Sequence, residues 1–597
     1  MVEPPLIETS PSTGSALMRW LPGVATLRGY RRRDLRGDLV AGLAVTALLV
    51  PQGMAYAELA GLPAVTGLYT TVMALLAYAV FGPSRILILG PDSALAPLIL
   101  ATILPLIGAG GDPAEAIALA SAMAVIMGII CVVSGLAHLG VITELLSKPL
   151  RVGYLNGVAV VVVVSQLPKL FGFSVTAEST PARLKEFVVG VLDGRTNATA
   201  LAIGLACLAL LFAFKALAPK VPAVLIAVVG ATAAVAAFGL IAHGVAVVGP
   251  VPKGFPAPAL PAFDLGDLGR LTLAAFGMAF ITLADTSALS RTFALKYGRT
   301  VDPDQEIVAL GAANLAAGFF QGFPVSGSAS RTAVAEAAGG KSQAVGLVGA
   351  LSIVLLLLFA GGLTTYLPQA SLAAIVIVAG TALFDLATMR WLWRVRRSEF
   401  VLCFVALLGV ALVGVLQGIV IAIVLSLLAF LQRVWRPYDA TLGRVPGRHG
   451  YHDVARHAKA QQIPGLIIFR FDAPVFFANA EHFSRCVKKH IAERGEPVHH
   501  VVIAGEPITD IDTTGAESLR DLISDLAENH VTIVFAEIKG PVKDRLRRYG
   551  VYNEIGSESF YSTVGHAVTH YLEGAGGEPL EWVDDYDGSE KTPKGRE

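Results

Sequence analysis

Gly90-Pro91-Asp92-Ser93-Ala94-Leu95-Ala96-Pro97 and Phe323-Pro324-Val325-Ser326-Gly327-Ser328-Ala329-Ser330-Arg331-Thr332 each interrupt an otherwise apolar stretch. A proline removes a backbone donor and stops a helix. The chain then starts a new half-helix whose first N–H groups have no intrahelical partner. Such an end carries a partial positive charge of about half an electron. Two of them facing each other inside a membrane make an anion site that needs no metal. The small residues Ser93, Ala94, Ser328, Ala329 and Ser330 let a ligand approach the backbone closely. One such run alone reads equally well as a loop or a close helix contact, since membrane helices favour small residues. Interrupted segments at corresponding places of two halves, one carrying an arginine, are instead the mark of an inverted repeat with its site at the breaks.

The composition sets these breaks in a membrane. Of 597 residues, 54% are hydrophobic and 15% charged, against about 25% charged in soluble domains, so long stretches face lipid. The formal net charge of +0 gives no field that would attract nucleic acid. Cys131, Cys207, Cys403 and Cys486 lie far apart and form no CxxC pair or disulfide framework, which argues against metal, cofactor or redox chemistry. At about 20 apolar residues per span, the region from Leu39 to Leu431 holds about fourteen spans, with twelve as the alternative. With seven per half, the two breaks are the third span of each half. The polar, Pro-rich start to Leu27 does not resemble a cleavable signal. The expected organisation is a cytoplasmic segment 1–37, a membrane domain 38–435, a soluble α/β module 440–573 and an acidic, Gly-rich tail 574–597 of disordered composition.

Charge placement gives an orientation. Arg28, Arg31, Arg32, Arg33 and Arg36 flank the first span. Even-numbered turns then carry Arg85, Lys148 with Arg151, Lys215 with Lys220, Lys296 with Arg299, Lys341, and Arg390 to Arg397. Most odd-numbered turns are poor in Lys and Arg; the loops with Arg183, Lys185 and Arg195 and with Lys253 and Arg270 are exceptions. The positive-inside rule puts both termini in the cytoplasm and requires an even span count.

An ionisable group within a span costs at least about 2.5–3.5 kcal/mol and is a functional candidate by default. Arg331, in the first turn after the second break, would add a fixed positive charge to the anion site; its alternative is to snorkel or to pair with Glu336. Asp285 lies deep in the eighth span, on one face with Thr282, Thr286 and Leu289. It suits proton or sodium coupling, or else is the structural partner of Arg331 or another buried donor. Asp92 is placed to cap the first half-helix. Gln52 and Tyr56, one turn apart on the first span, are polar groups for which a bound oxyanion is a candidate partner. Glu58 is expected at the outer interface.

After Arg436 the pattern changes to short strands and amphipathic helices, an α/β sandwich. Asp510-Ile511-Asp512-Thr513-Thr514-Gly515 ends a strand and loop and caps a helix, a natural docking or phosphate corner. No GxGxxG, GxxxxGK[ST] or nucleophile elbow accompanies it, so an enzyme has little support.

The chain resembles the sulfate permease (SulP) family, related to the animal family that includes prestin. The resemblance rests on Asp38-Leu39-Val40-Ala41-Gly42, Pro51-Gln52-Gly53-Met54-Ala55-Tyr56, Gly61-Leu62-Pro63, Gly67-Leu68-Tyr69, both breaks and Gly339-Gly340-Lys341-Ser342-Gln343. Asp472-Ala473-Pro474-Val475-Phe476-Phe477-Ala478-Asn479-Ala480 with Asp512-Thr513-Thr514-Gly515 resembles a STAS domain. The resemblance implies a polytopic α-helical seven-plus-seven inverted repeat with core and gate domains, a homodimer in a bacterial inner membrane, and an anion held between spans one, three, eight and ten. It also implies that Gln52 and Tyr56 line the site and that Ser330 and Arg331 top the second half-helix. Asp285 falls where some relatives use an acid for coupling. Sodium-coupled relatives carry a hydroxyl one turn later, where this chain has Leu289, which favours protons. In anti-sigma-factor antagonists the 512–515 loop holds a phosphorylatable serine; here it offers Thr513 and Thr514. The expected function is proton-coupled symport of sulfate, bicarbonate or a dicarboxylate by an elevator or rocking motion. The alternatives are a passive channel or uncoupled exchanger, a sodium-coupled bicarbonate symporter, and a membrane sensor acting through its STAS module.

Overall fold

A computed structural model describes residues 21–108, 111–139, 147–177, 179–218, 221–298, 300–359 and 361–574. The residues expected to form the disordered tail lie outside this set apart from Gly574. Two compact units emerge, Met1–Ser426 and Leu427–Glu597.

Among the described residues, eight helices are long and apolar enough to cross a membrane, and Ala96–Ile107, Ala223–Ala237 and Ala344–Phe359 are shorter apolar helices. In chain order the spans are 1 (Leu35–Leu59), 2 (Ala64–Phe81), 3 (Ala96–Ile107), 4 (Pro113–Leu136), 5 (Lys148–Leu170), 6 (Ala198–Leu217) and 7 (Ala223–Ala237). The second set is 8 (Leu268–Lys296), 9 (Pro303–Phe319), 10 (Ala329–Ala337), 11 (Ala344–Phe359), 12 (Gln369–Ala382), 13 (Arg397–Leu408) and 14 (Val415–Trp435). Several starts follow simple capping chemistry. Asp112 accepts from the Ala114 N–H ahead of Pro113, Asp302 from Asp304 ahead of Pro303, and Asn197 from Ala200.

The spans pack as two bundles. Spans 1–4 pack with 8–11, most closely through span 4 on span 9, span 1 on span 11 and span 2 on span 9. Spans 5, 6, 7, 12 and 13 form the other bundle, and the bundles meet mainly where span 1 touches spans 7 and 12. Spans 1 and 2 nearly touch, because a Cβ on Gly67 would lie 1.9 Å from the Gly53 carbonyl oxygen. Asp38, fully buried, accepts from the Lys341 backbone N–H and the Ser342 hydroxyl, both at 2.6 Å. Gln343 donates to the carbonyls of Ser84 and Leu87. The 339–343 loop thus ties span 1 to the segment that leaves span 2.

The second unit carries a six-stranded sheet. With β1 (Leu89–Gly90) and β2 (Ser326–Gly327) in the membrane body, its strands are β3 (Asp439–Arg444), β4 (Tyr451–Asp453), β5 (Leu466–Phe471), β6 (His500–Ala504), β7 (Thr532–Ala536) and β8 (Phe560–Tyr561). The order is β4-β3-β5-β6-β7-β8, antiparallel at β3 and parallel from β5 onward. Alternate residues face opposite ways. Ile467, Phe469, Phe471, Val501 and Ile503 pack with helices Ala480–Ala492, Thr513–Glu528 and Gly540–Arg548, whereas Leu466, Ile468, Val502 and Ala504 pack with Val564–Gly574. Gly550 leaves the Gly540–Arg548 helix at φ +80, where a side chain would be strained.

Candidate functional site

The two interrupted segments meet. β1 and β2 pair antiparallel, Leu89 with Gly327 and Gly90 with Ser326. Ser328 N–H donates to the Ile88 carbonyl at 3.1 Å, and Ile88 N–H to Thr332 Oγ1 at 3.1 Å. This small ladder sets the start of span 10 beside the approach to span 3. Ser328 caps span 10, accepting from the Arg331 N–H at 3.4 Å, and its hydroxyl lies 3.2 Å from that of Ser330. Ser328 is buried, while Ala329 and Ser330 are exposed on the first turn.

The first break differs from the sequence reading. Span 3 begins at Ala96 and not at Asp92, and Leu95 occupies its cap position. Asp92 instead closes a tight turn, its carboxylate accepting from the Ala94 N–H at 2.8 Å and its carbonyl from Ala96. A run that reads Pro91-Asp92-Ser93 satisfies its backbone locally before a helix can start. Ser93 and Ala94 are buried in that turn.

Arg331 is 1% exposed, and its Nε, Nη1 and Nη2 have no hydrogen-bond partner among the described residues. It neither snorkels nor pairs with Glu336, which binds Lys296 at 2.7 Å and the Tyr297 hydroxyl at 2.6 Å. Its guanidinium lies against Gly90, where a Cβ would come within 3.2 Å of Nη1. Tyr56 reaches Ser93, and both Asp92 and Tyr56 are within electrostatic reach of Arg331. Gln52 sits half-buried one turn before Tyr56 on span 1.

The eighth-span cluster separates into different jobs. Thr286 Oγ1 accepts from the Gly327 N–H at 3.2 Å and so props β2. Thr282 Oγ1 is buried with no partner among the described residues. Asp285 is paired, accepting from Arg151 Nη1 at 3.2 Å, with a third of each side chain exposed. Arg151, counted from the sequence as a charge in a cytoplasmic turn, is in the first turn of span 5. One turn on, the buried Tyr154 lies within electrostatic reach of Asp285 and Asp92. At the far end of span 5, Lys169 pairs with Glu58 of span 1 at 3.4 Å. Span 5 is thus fastened to the other bundle at both ends, 18 residues apart, which is about 27 Å of helix. A further buried acid is one the sequence does not single out: Glu306 accepts from the Tyr78 and Ser290 hydroxyls at 2.6 Å each, deep between spans 2, 8 and 9.

In the second unit, Asp512 accepts from the Gly515 N–H at 2.7 Å and the Phe477 N–H at 2.9 Å. Thr513 and Thr514 are exposed on the first turn of the helix it caps.

Two halves of membrane helices, broken at matching points and joined through the breaks, define a multi-pass transporter of the inverted-repeat type. Comparison with known proteins makes this specific. The sulfate permease family profile matches residues 35–406 and the STAS domain profile residues 457–567. The chain belongs to the sulfate permease family. It is 38% identical over 563 residues to a probable sulfate transporter of Mycobacterium tuberculosis (strain H37Rv), covering 94% of this chain and 99% of that one. It is 36% identical over 496 residues to human solute carrier family 26 member 6, covering 79% of this chain and 65% of that one. The structure of a murine solute carrier 26 family member A9 anion transporter in the inward-facing state superposes with a TM-score of 0.86 at 25% identity, covering 95% and 96% of the two chains.

Proposed function

We propose that the chain is a secondary active transporter of a small oxyanion, held where the two breaks meet and coupled to protons through Asp285. The observation that carries the reading is Arg331: a guanidinium fully buried at the start of span 10 and against Gly90 of the first break, with no partner for its donors among the described residues. An uncompensated buried charge costs several kcal/mol, and an oxyanion with oxygens at two donor positions offsets that cost. Gln52, Tyr56 and Ser93 would add neutral donors around it, and Ala94, Ser328, Ala329 and Ser330 leave room for it. The mycobacterial relative favours sulfate as the first substrate to try; bicarbonate and dicarboxylates fit the same donors.

The two ion pairs on span 5 support alternating access. In the proposed mechanism Arg151–Asp285 holds the bundles together at one membrane face and Lys169–Glu58 at the other. Protonating Asp285 removes the charge that binds Arg151 and releases that face, which links proton entry to bundle movement. A sodium-coupled reading is favoured by Thr282, whose buried hydroxyl one turn from Asp285 could ligate a cation. We assign the protein to the bacterial inner membrane, with both termini cytoplasmic by the positive-inside rule, as a homodimer. The STAS module, with Thr513 and Thr514 exposed at a capped helix start, serves regulation or assembly.

The experiment is a thermal-shift panel on the purified full chain with sulfate, bicarbonate and fumarate. A ligand at 100 times its Kd stabilises by about 2.7 kcal/mol. At least one anion should raise the melting temperature of the wild type and not of Arg331→Gln. Equal shifts in both proteins would remove Arg331 from the site.

A further inference from the structure

Of the four cysteines, Cys486 has company that its neighbours in sequence do not reveal. On helix Ala480–Ala492, His482, Cys486 and His490 follow one another at four-residue spacing and share a face. Asp439, the first residue of β3, is brought over that face by its register opposite Phe471. One ligand atom each of Asp439, His482 and Cys486 lies within 4.8 Å of the others. Cys486 Sγ is 3.5 Å from His482 Nε2. Zinc–sulfur and zinc–nitrogen bonds of about 2.3 and 2.05 Å at a tetrahedral angle place sulfur and nitrogen about 3.5 Å apart, so this pair already has the spacing that a shared ion would impose.

The surroundings favour an ion over chance proximity. His490 Nε2 is 2.7 Å from Asp439 Oδ2, and Thr441 Oγ1 is 2.9 Å from His490 Nδ1. That chain orients the carboxylate as outer-shell partners orient metal ligands. Phe469 and Phe471 wall the corner, with ring centroids 5.4 Å from His490 and 6.3 Å from His482. The thiol is nearly buried, whereas the Asp439 carboxylate is a quarter exposed and offers an entry path.

We propose that Asp439, His482 and Cys486 form a binding site for a borderline-soft divalent cation, zinc or cobalt, with His490 as the positioning residue for Asp439. Sulfur, nitrogen and oxygen donors in a three-ligand set suit those ions and leave a fourth position for water. Magnesium and calcium, which take oxygen donors, are excluded. Binding removes the Cys486 proton. Metal and proton therefore compete for the sulfur, and affinity rises with pH. The sequence reading, which tested the cysteines for CxxC pairs, set metal chemistry aside; the juxtaposition comes from β3 and helix Ala480–Ala492 together.

The test uses the full-length chain in detergent, with any purification tag removed and cobalt(II) chloride as the probe. A thiolate-to-cobalt charge-transfer band should grow in and saturate at a single equivalent, be lost in Cys486→Ser, and be displaced by zinc. His482→Gln and Asp439→Asn should each weaken zinc binding about tenfold or more, and His490→Gln less than either. An unchanged spectrum on adding cobalt to the wild type would overturn the proposal. So would a band that persists in Cys486→Ser, since Cys131, Cys207 and Cys403 would then be its source. The wild-type titration decides the question even if a variant fails to fold.

Discussion

At the scale of single residues the proposed anion site turns on Arg331 and on the neighbours that leave its donors without a partner among the described residues. Gly90 is part of that arrangement. Gly90→Ala places a methyl 3.2 Å from Arg331 Nη1, at a backbone φ of +158 that a side chain rarely adopts. Its expected effect is a several-fold loss of anion affinity by titration, accompanied by a lowered melting temperature. Arg331→Lys keeps the charge but loses the planar fork, so it should bind far more weakly than wild type in the same titration. Arg331 was legible in the sequence as a candidate because an arginine after a Gly/Pro break inside an apolar run is conspicuous by itself. Its freedom was not, since Glu336, five residues on, looked like a partner, and only the packing shows that Lys296 and Tyr297 occupy it. Asp285 is the reverse case. Its charge stood out, but its partner Arg151 is 134 residues away and had a sufficient explanation as a flanking charge.

At the scale of elements, short-range rules carried the reading. Prolines and glycines announced both breaks, and short apolar runs after Arg436 announced the strands of the second unit. They misplaced the start of span 3 by a few residues, because Asp92 can cap a turn as readily as a helix. Close packing between spans was not legible: Gly53 and Gly67 read as motif letters, and the structure shows each to be the point where spans 1 and 2 touch. Gly67→Ala forces a Cβ to 1.9 Å from a backbone oxygen, so the two spans must separate. Overpacking of this kind costs about 1–3 kcal/mol. A lowered melting temperature by intrinsic tryptophan fluorescence is the expected outcome, and an unchanged one would contradict the close approach. Span 5 carries the two ion pairs that link the bundles. Asp285→Asn should abolish gradient-driven uptake yet leave anion exchange, measured as counterflow, because it removes the proton site and not the anion site. If that variant accumulates anion normally, Asp285 is a structural partner of Arg151 and nothing more.

At the scale of the whole molecule, a family fold seen at high similarity in an inward-facing relative becomes a proposed mechanism only when the anion and the coupling ion are tied to particular residues. The most direct measurement is uptake into liposomes holding the purified chain, with labelled sulfate, bicarbonate and fumarate tested side by side under imposed proton or sodium gradients. The account predicts that at least one anion accumulates above its equilibrium level when the interior is alkaline, without sodium, and that Arg331→Gln abolishes this. Flux that only equilibrates every anion, indifferent to pH, or accumulation by Arg331→Gln equal to wild type, would contradict it.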